Sequence, residues 1–400
     1  MFNYGHLRNV PIVQKENILK KILIFYGTYG GGHIAAAKSI KNFIDSHYED
    51  TDIEFVDCIE YISKFVNKVS TKAYVELTKN TPHLWKTLYT GSNKGSLSMI
   101  SNASNRIMAL KLKNLIKESR PDLIISTHPF SSHMCAILKK KKQIDCELAT
   151  IMTDYHIHNQ WLSLPQYVDY FFVANDQMKQ DMVNLKIPSD KIYVTGIPVS
   201  PRFNENFNKS EIFDEFWLDK NKFTVLLFGG GEFGLGKNVA VKVLESTIRM
   251  FKDIQVVAIS GKNKKMHTAF EEIVEKTNSE ARVKVLEFTD KVPELMAISG
   301  IVVTKAGGLT ITESLVSNLP IVIINPIPGQ EEENAQFLVD SGCAIWIKPK
   351  EKNIPGIFKN LYRNKEKLEH MKECSKRLAK PDSTKEICDI LLKPKEEIED

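Results

Sequence analysis

Short apolar runs that stop at glycine or polar turns recur through the chain, each followed by a stretch with helical spacing. Lys21–Tyr26 (KILIFY) halts at a glycine cluster and Ile34–Ile44 then reads as a helix, which makes a βα unit. Further runs of the same kind lie at Ile53–Asp57, Asp122–Ser126, Glu147–Thr153, Asp169–Val173 and Lys191–Thr195. Around residues 196–222 the pattern lapses into Gly196, Pro198, Pro201 and a polar, asparagine-bearing stretch, which predicts a linker. It restarts at Phe223–Phe228 (FTVLLF), again with glycines at once behind it, and continues through Val256–Ser260, Val283–Phe288, Ile301–Thr304 and Ile321–Asn325. Runs this rich in Ile, Leu, Val and Phe suit parallel strands covered on both faces. The prediction is an α/β protein of two doubly wound, Rossmann-like domains facing a cleft: residues 1–196, a linker over 197–222, and residues 223–360. Residues 361–400 read as C-terminal helices rich in Lys and Glu with an acidic tail.

Composition narrows the class. The 400 residues are 42 % hydrophobic and 26 % charged, the mix of a globular protein and not of a disordered chain. No apolar run approaches the roughly 18 residues of a spanning helix, and the N-terminus has no apolar signal region, so a cytoplasmic location is expected. Six cysteines without a C-x-x-C pair imply neither a disulfide framework nor a zinc site. The net charge of +5 is unevenly spread, with 24 Lys and Arg against 18 Asp and Glu in residues 1–200 and 30 against 31 in residues 201–400.

Three glycine loops carry the candidate chemistry. Gly27-Thr28-Tyr29-Gly30-Gly31-Gly32-His33 joins the first strand to its helix, where free backbone N–H groups and a positive helix end suit an oxyanion. It lacks the Gly-Lys-Ser/Thr of a P-loop, and a tight packing turn is the competing reading. Gly229-Gly230-Gly231-Glu232-Phe233-Gly234 matches G-x-G-x-x-G, but the next strand ends in Ser260-Gly261-Lys262 without the acidic residue a dinucleotide ribose wants. A dehydrogenase is therefore the alternative of a different class. The third site is densest: Gly307 and Gly308 at a helix start for phosphate, Glu313 one turn on for ribose hydroxyls, and Gln330, Glu331 and Asn334 opening the next helix for a sugar. Glu332 and Glu333 are accounted for by the helix dipole alone.

These residues resemble the GT-B glycosyltransferases of the monogalactosyldiacylglycerol synthase and processive diacylglycerol glucosyltransferase group, relatives of the peptidoglycan GlcNAc transferase. The likeness runs from about Lys21 to Trp346. It rests on Gly30–His33 with Ala35–Lys38, Thr127-His128-Pro129, Thr153-Asp154 with His158 and Trp161, Thr195-Gly196-Ile197-Pro198, Gly229–Gly231, Gly307–Glu313 and Gly329–Asn334. The resemblance implies a UDP-sugar on the C-terminal domain and a lipid alcohol, diacylglycerol, on the N-terminal one. It implies His33 as catalytic base, Thr310 near the diphosphate, Glu313 on the ribose, the backbone near Phe288 and Thr289 on uracil, and Gln330 and Glu331 on the sugar. Plant-type galactosyltransferases carry Gly-Pro-Gly where this chain has Gly307-Gly308-Leu309, which favours glucose over galactose.

Asp154 is expected to orient or assist the base, with Gly31, Gly32, His158 and Trp161 on the acceptor side; for Asp154, His158 and Trp161, merely holding the loop after the strand is the competing reading. No D-x-D stands beside these loops to hold a metal ion against a diphosphate, so no metal or other cofactor is expected and helix ends must stabilise the leaving UDP. The remaining alternatives are GlcNAc transfer to an undecaprenyl-linked precursor, a UDP-GlcNAc epimerase, and a nucleotide-binding protein without turnover. Residues 61–117 hold ten basic residues against one acidic. There Lys64, Lys68 and Lys72 oppose an apolar stripe of Ile62, Phe65, Val66, Val69, Ala73 and Leu77, a pattern shared by a surface helix packed on the domain core and a helix docked on an anionic membrane; Trp85, Tyr89 and the charge excess favour docking. The expected location is thus the inner membrane face, by peripheral attachment. None of the nucleic-acid modules accompanies this patch.

Overall fold

The computed structural model describes residues 19–28, 31–63, 109–229, 237–348, 351 and 353–393. Two six-stranded, wholly parallel sheets divide the chain. The first is built from β1 (Lys20–Tyr26), β2 (Thr51–Asp57), β3 (Leu123–Ser126), β4 (Glu147–Ile151), β5 (Tyr170–Phe172) and β6 (Ile192–Tyr193), in the order β2-β1-β3-β4-β5-β6. The second contains β7 (Phe223–Phe228), β8 (Ile254–Ile259), β9 (Val283–Leu286), β10 (Ile301–Thr304), β11 (Ile321–Ile324) and β12 (Ala344–Ile347), in the order β12-β11-β10-β7-β8-β9. Each is a doubly wound sheet whose order reverses beside its first strand, between β1 and β3 and between β7 and β10. That reversal opens a crevice at the carboxyl ends of the strands.

Burial explains why these runs became strands. Ile22, Leu23, Ile24 and Phe25 of β1 are at most 1 % exposed, in register with Ile53–Val56 on one side and Leu123–Ser126 on the other. Such continuous apolar runs meet helices on both faces. The observed strands β3, β4, β5, β6, β9 and β11 are a residue or more shorter than predicted, although Met152 N still donates to Phe172 O at 3.0 Å and Val173 N to Tyr193 O at 2.9 Å just past the ends of β4 and β5. β12 is not among the predicted strands although Cys343–Ile347 is an unbroken apolar run; it is a four-residue edge strand, half-buried at Ile345 and Trp346.

The linker is more structured than its composition predicts. It contains a 3-10 turn over Pro201–Asn204 and a helix over Lys209–Glu215 that Asn208 caps by accepting from Ser210 N. The end of the chain also departs from a simple C-terminal appendage. The helix Lys365–Leu378 packs on the second domain, whereas Ser383–Leu392 crosses back, burying Ile387, Cys388 and Leu391 with Ile40 and Ile44 of the first. The two crossings are laced together. Ser383 Oγ donates to Ile197 O at 2.9 Å, and Thr384 Oγ1 accepts from Val199 N at 3.1 Å and donates to Val199 O at 2.7 Å. Gly196 sits between them at φ +87°, where a Cβ would stand 2.6 Å from Lys380 Cβ. The Thr-Gly-Ile-Pro motif is thus the joint of the two domains.

Candidate active site at the domain interface

His33 enters the helix Gly31–His47 directly after β1, at the crevice between β1 and β3. Its Nδ1 lies 2.7 Å from the carbonyl oxygen of Thr127, next in the chain after β3. A carbonyl only accepts, so Nδ1 carries the proton and Nε2 is the nitrogen with the lone pair. Thr153 Oγ1 is 3.0 Å from the same Nδ1, and Thr127 Oγ1 donates to the His33 carbonyl at 2.9 Å. His128 meets the His33 ring edge-on, with centroids 4.5 Å apart. Gly27 makes room for it, since a Cβ there would lie 2.7 Å from the His128 ring. Burial drives the His33 pKa below its ordinary value, opposed by the Asp154 charge and the Thr127 carbonyl, and with His158 adding to the fall. His128 is lowered further, by burial and then by its two histidine neighbours.

Asp154 is buried at 2 % exposure and held on every side. His158 Nε2 donates to its Oδ2 at 3.3 Å, Trp161 Nε1 to the same oxygen at 3.2 Å, and Asn334 Nδ2 to Oδ1 at 3.4 Å. Burial alone pushes this carboxyl up; the bond and charge of His158, then Gln330 and His33, outweigh it and bring the pKa down to about 2. Asp154 is therefore an anion beside His33. From sequence, His158 and Trp161 are expected to line the acceptor side; the structure encloses both, Trp161 at 1 % exposure, and aims their ring N–H groups at Asp154. Gly31 is exposed at the helix start, and Gly32 faces Leu309 of the other domain, 3.6 Å from where its Cβ would be.

Across the interface, β10 ends in Thr304 and the glycine turn leads into the helix Gly308–Val316, with Gly307 as its cap. A Cβ on Gly308 would stand 1.9 Å from Thr153 O. That position is glycine because two domains meet there, a reason invisible in the local sequence. Thr310 is half-buried in the first turn of this helix. Glu313, one turn on, walls a cavity of about 310 Å³ together with Lys38, Asn42, Ser200 and Phe203, and burial raises its carboxyl to about 8. Glu331, opening the helix Gln330–Asp340, accepts from Lys305 Nζ at 2.7 Å and from Ile327 N at 2.8 Å. Glu332 accepts from Gly329 N at 3.2 Å, a capping role in keeping with its reading as a helix-end charge.

Gln330 and Glu331 therefore stand at one helix start near Asp154, while Asn334 is fully enclosed and bonded to protein on all its polar atoms. From sequence, Asn334 is expected on the donor sugar; the structure shows its amide engaged by Tyr155, Ala306 and Asp154. Phe288 exposes 69 % of its surface with Lys262 Nζ 5.6 Å from its ring centre, and Thr289 Oγ1 accepts from Lys291 N at 3.1 Å. Gly229 packs where a Cβ would press on Phe270 at 2.9 Å. Gly230, Gly231, Lys64, Lys68 and Lys72 lie outside the described residues. Lys305 and Thr127 gained no role from sequence: only the fold brings the lysine to Glu331 and the carbonyl to His33.

Two doubly wound parallel-sheet domains closed over a glycine turn make up the GT-B fold. Residues 33–199 match the family model of monogalactosyldiacylglycerol (MGDG) synthase, and residues 224–387 match the glycosyltransferase family 28 C-terminal domain. A processive diacylglycerol beta-glucosyltransferase of Bacillus pumilus is 30 % identical over 379 residues, covering 94 % of this chain and 95 % of the relative. One of Bacillus cereus is 29 % identical over 373 residues, 93 % of each chain. The chain belongs to this family of diacylglycerol glycosyltransferases. Among solved structures, UDP-GlcNAc 2-epimerase from Neisseria meningitidis bound to UDP-GlcNAc superposes with a TM-score of 0.64 at 15 % identity, covering 94 % of this chain and 100 % of that one. Acinetobacter baumannii MurG gives 0.61 at 14 % identity over the same shares, and both share the fold. No helix among the described residues is long and apolar enough to cross a membrane.

Proposed function

We propose that this hexosyltransferase moves glucose from UDP-glucose to the hydroxyl of diacylglycerol at the inner face of the cell membrane, inverting the anomeric configuration. The observation that carries the reading is the His33 tautomer, with Nδ1–H on the Thr127 carbonyl and the Nε2 lone pair available as base. The acceptor hydroxyl attacks the anomeric carbon while the bond to the UDP oxygen breaks, and its proton passes to Nε2. The imidazolium so formed is stabilised by the Thr127 carbonyl and by the Asp154 anion, the physical role of a buried carboxylate beside a base. Thr310 and the N–H groups opening its helix take up the charge developing on the diphosphate. Glu313 holds the ribose, Gln330 and Glu331 the sugar, and the backbone near Phe288 and Thr289 the uracil, with no metal ion required.

Glucose is favoured by Gly307-Gly308-Leu309 in place of Gly-Pro-Gly and by the names of the Bacillus relatives. Docking through Lys64, Lys68 and Lys72 brings the site to its lipid, at about 1 kcal/mol per basic residue near an anionic surface. Radiolabelled UDP-glucose, UDP-galactose and UDP-GlcNAc, each incubated with diacylglycerol vesicles before lipid extraction, test the reading. Label in a glycosyl-diacylglycerol from UDP-glucose is expected; label from UDP-GlcNAc alone, or no lipid label, overturns it.

A further inference from the structure

Asn334 is 0 % exposed, and its side-chain amide makes three hydrogen bonds to two separate parts of the site. Oδ1 accepts from Tyr155 N at 2.8 Å, while Nδ2 donates to Ala306 O at 3.1 Å and to Asp154 Oδ1 at 3.4 Å. Asp154 and Tyr155 belong to the first domain, and Ala306 opens the glycine turn of the second. A further bond crosses beside it, between Tyr155 Oη and Thr312 Oγ1 at 2.9 Å, and Asn175 Nδ2 fixes the loop by donating to Tyr155 O at 3.1 Å. Between these bonds lies the close approach of Thr153 O to Gly308. Together these contacts join the loop beside the base to the phosphate turn.

We infer that Asn334 is a positioning residue, a clasp whose amide locks the two domains together and thereby holds Asp154 and His33 in register with the donor turn. The residue type is what the place demands. One acceptor for a backbone N–H and two donors, for a carbonyl and a carboxylate, are found together only in a primary amide. Glutamine is a methylene too long for so enclosed a site, and aspartate offers no donor and sets a second carboxylate against Asp154. Parting the domains would leave a buried carboxylate and a backbone N–H without these partners, so the clasp is closed or costly. Asn334 shares a helix with Gln330 and Glu331, so whatever seats that helix start on a sugar also seats the clasp.

The kinetic part of this inference rests on the proposed glucosyl transfer; the structural part does not, and the test keeps them apart. Asn334→Ala and Asn334→Asp are compared with the full-length wild type by hydrogen–deuterium exchange, by calorimetry with UDP, and by turnover of UDP-glucose with diacylglycerol vesicles. Exchange in peptides spanning residues 152–158 and 304–312 is expected to rise about tenfold or more, and kcat to fall about tenfold or more, the scale of one charged hydrogen bond. The UDP Kd stays within about twofold, because the amide faces protein and not nucleotide. Unchanged exchange or unchanged kcat in a folded variant overturns the clasp. So does selective weakening of UDP-glucose over UDP with normal exchange, which would return Asn334 to the donor site. If neither variant folds, Tyr155→Phe, which removes only the hydroxyl bond to Thr312, must show the same changes at smaller amplitude, and wild-type behaviour there overturns the inference. A wild type that turns over no UDP-glucose defeats the functional reading, and the exchange comparison still decides the clasp.

Discussion

At the crevice of the first domain, His33, His128, Asp154 and His158 crowd into one enclosed cluster of titratable side chains. At the same topological place in the second domain stand Gly307, Gly308 and a helix start, with Lys305 and Glu331 paired to one side. The first crevice is proposed to handle a proton, a task that needs groups whose pKa values the protein has set. The second is read as holding a diphosphate, for which backbone N–H groups and a helix end are better suited than mobile charged side chains, being fixed before the ligand arrives. On that proposal, one fold used twice separates acid–base work from electrostatic work through the different residues placed at its strand ends.

The strongest way to break this comparison is His33→Ala. Loss of general-base help is expected to lower kcat by about 10²–10⁴ while leaving the UDP Kd within about twofold, since the base acts on the acceptor. Steady-state kinetics alongside calorimetry checks this, and a folded variant with near-normal turnover removes His33 from the chemistry. Next comes Gly308→Ala. Its methyl must displace the Thr153 carbonyl, misaligning base and donor, and a shift of this kind costs about 10² in kcat/KM. A variant of wild-type activity would show that the domains need not close so tightly.

A smaller effect separates nucleotide from sugar. Glu313→Ala should weaken UDP itself about tenfold or more, whereas Gln330→Ala and Glu331→Ala should weaken UDP-glucose and leave UDP nearly unchanged. The opposite pattern in calorimetry reassigns the pocket. The same glutamate makes binding pH-dependent. With its carboxyl raised to about 8 in the free protein, and ribose hydroxyls favouring the ionised form, binding lowers that pKa and releases a proton. UDP affinity therefore rises with pH up to about 8 and levels above it. Calorimetry at pH 7 in buffers of different ionisation enthalpy should detect proton release, and Glu313→Gln should abolish it. The least change is expected from chelation: EDTA should leave turnover largely intact, and its abolition would place a metal at the diphosphate.

Local sequence sufficed for the two-domain alternation and the order of the glycine loops. Strands buried on both faces must be continuously apolar, and loops that approach a backbone must be glycine, so both leave a local mark. β12 bears the same mark in the apolar run Cys343–Ile347 and was legible locally, although it is not among the strands predicted above. The helix over Lys209–Glu215 was hidden by polar composition that its cap and its seat on the second domain override. Long-range packing alone settles that Asn334 grips Asp154 from the other domain, that Ser383–Leu392 returns to the first domain, and that Gly308 is small for Thr153. Each of these joins residues far apart in the chain. A hydrogen bond or a steric limit across such distances has no periodicity, and so writes nothing into the local pattern from which elements are read.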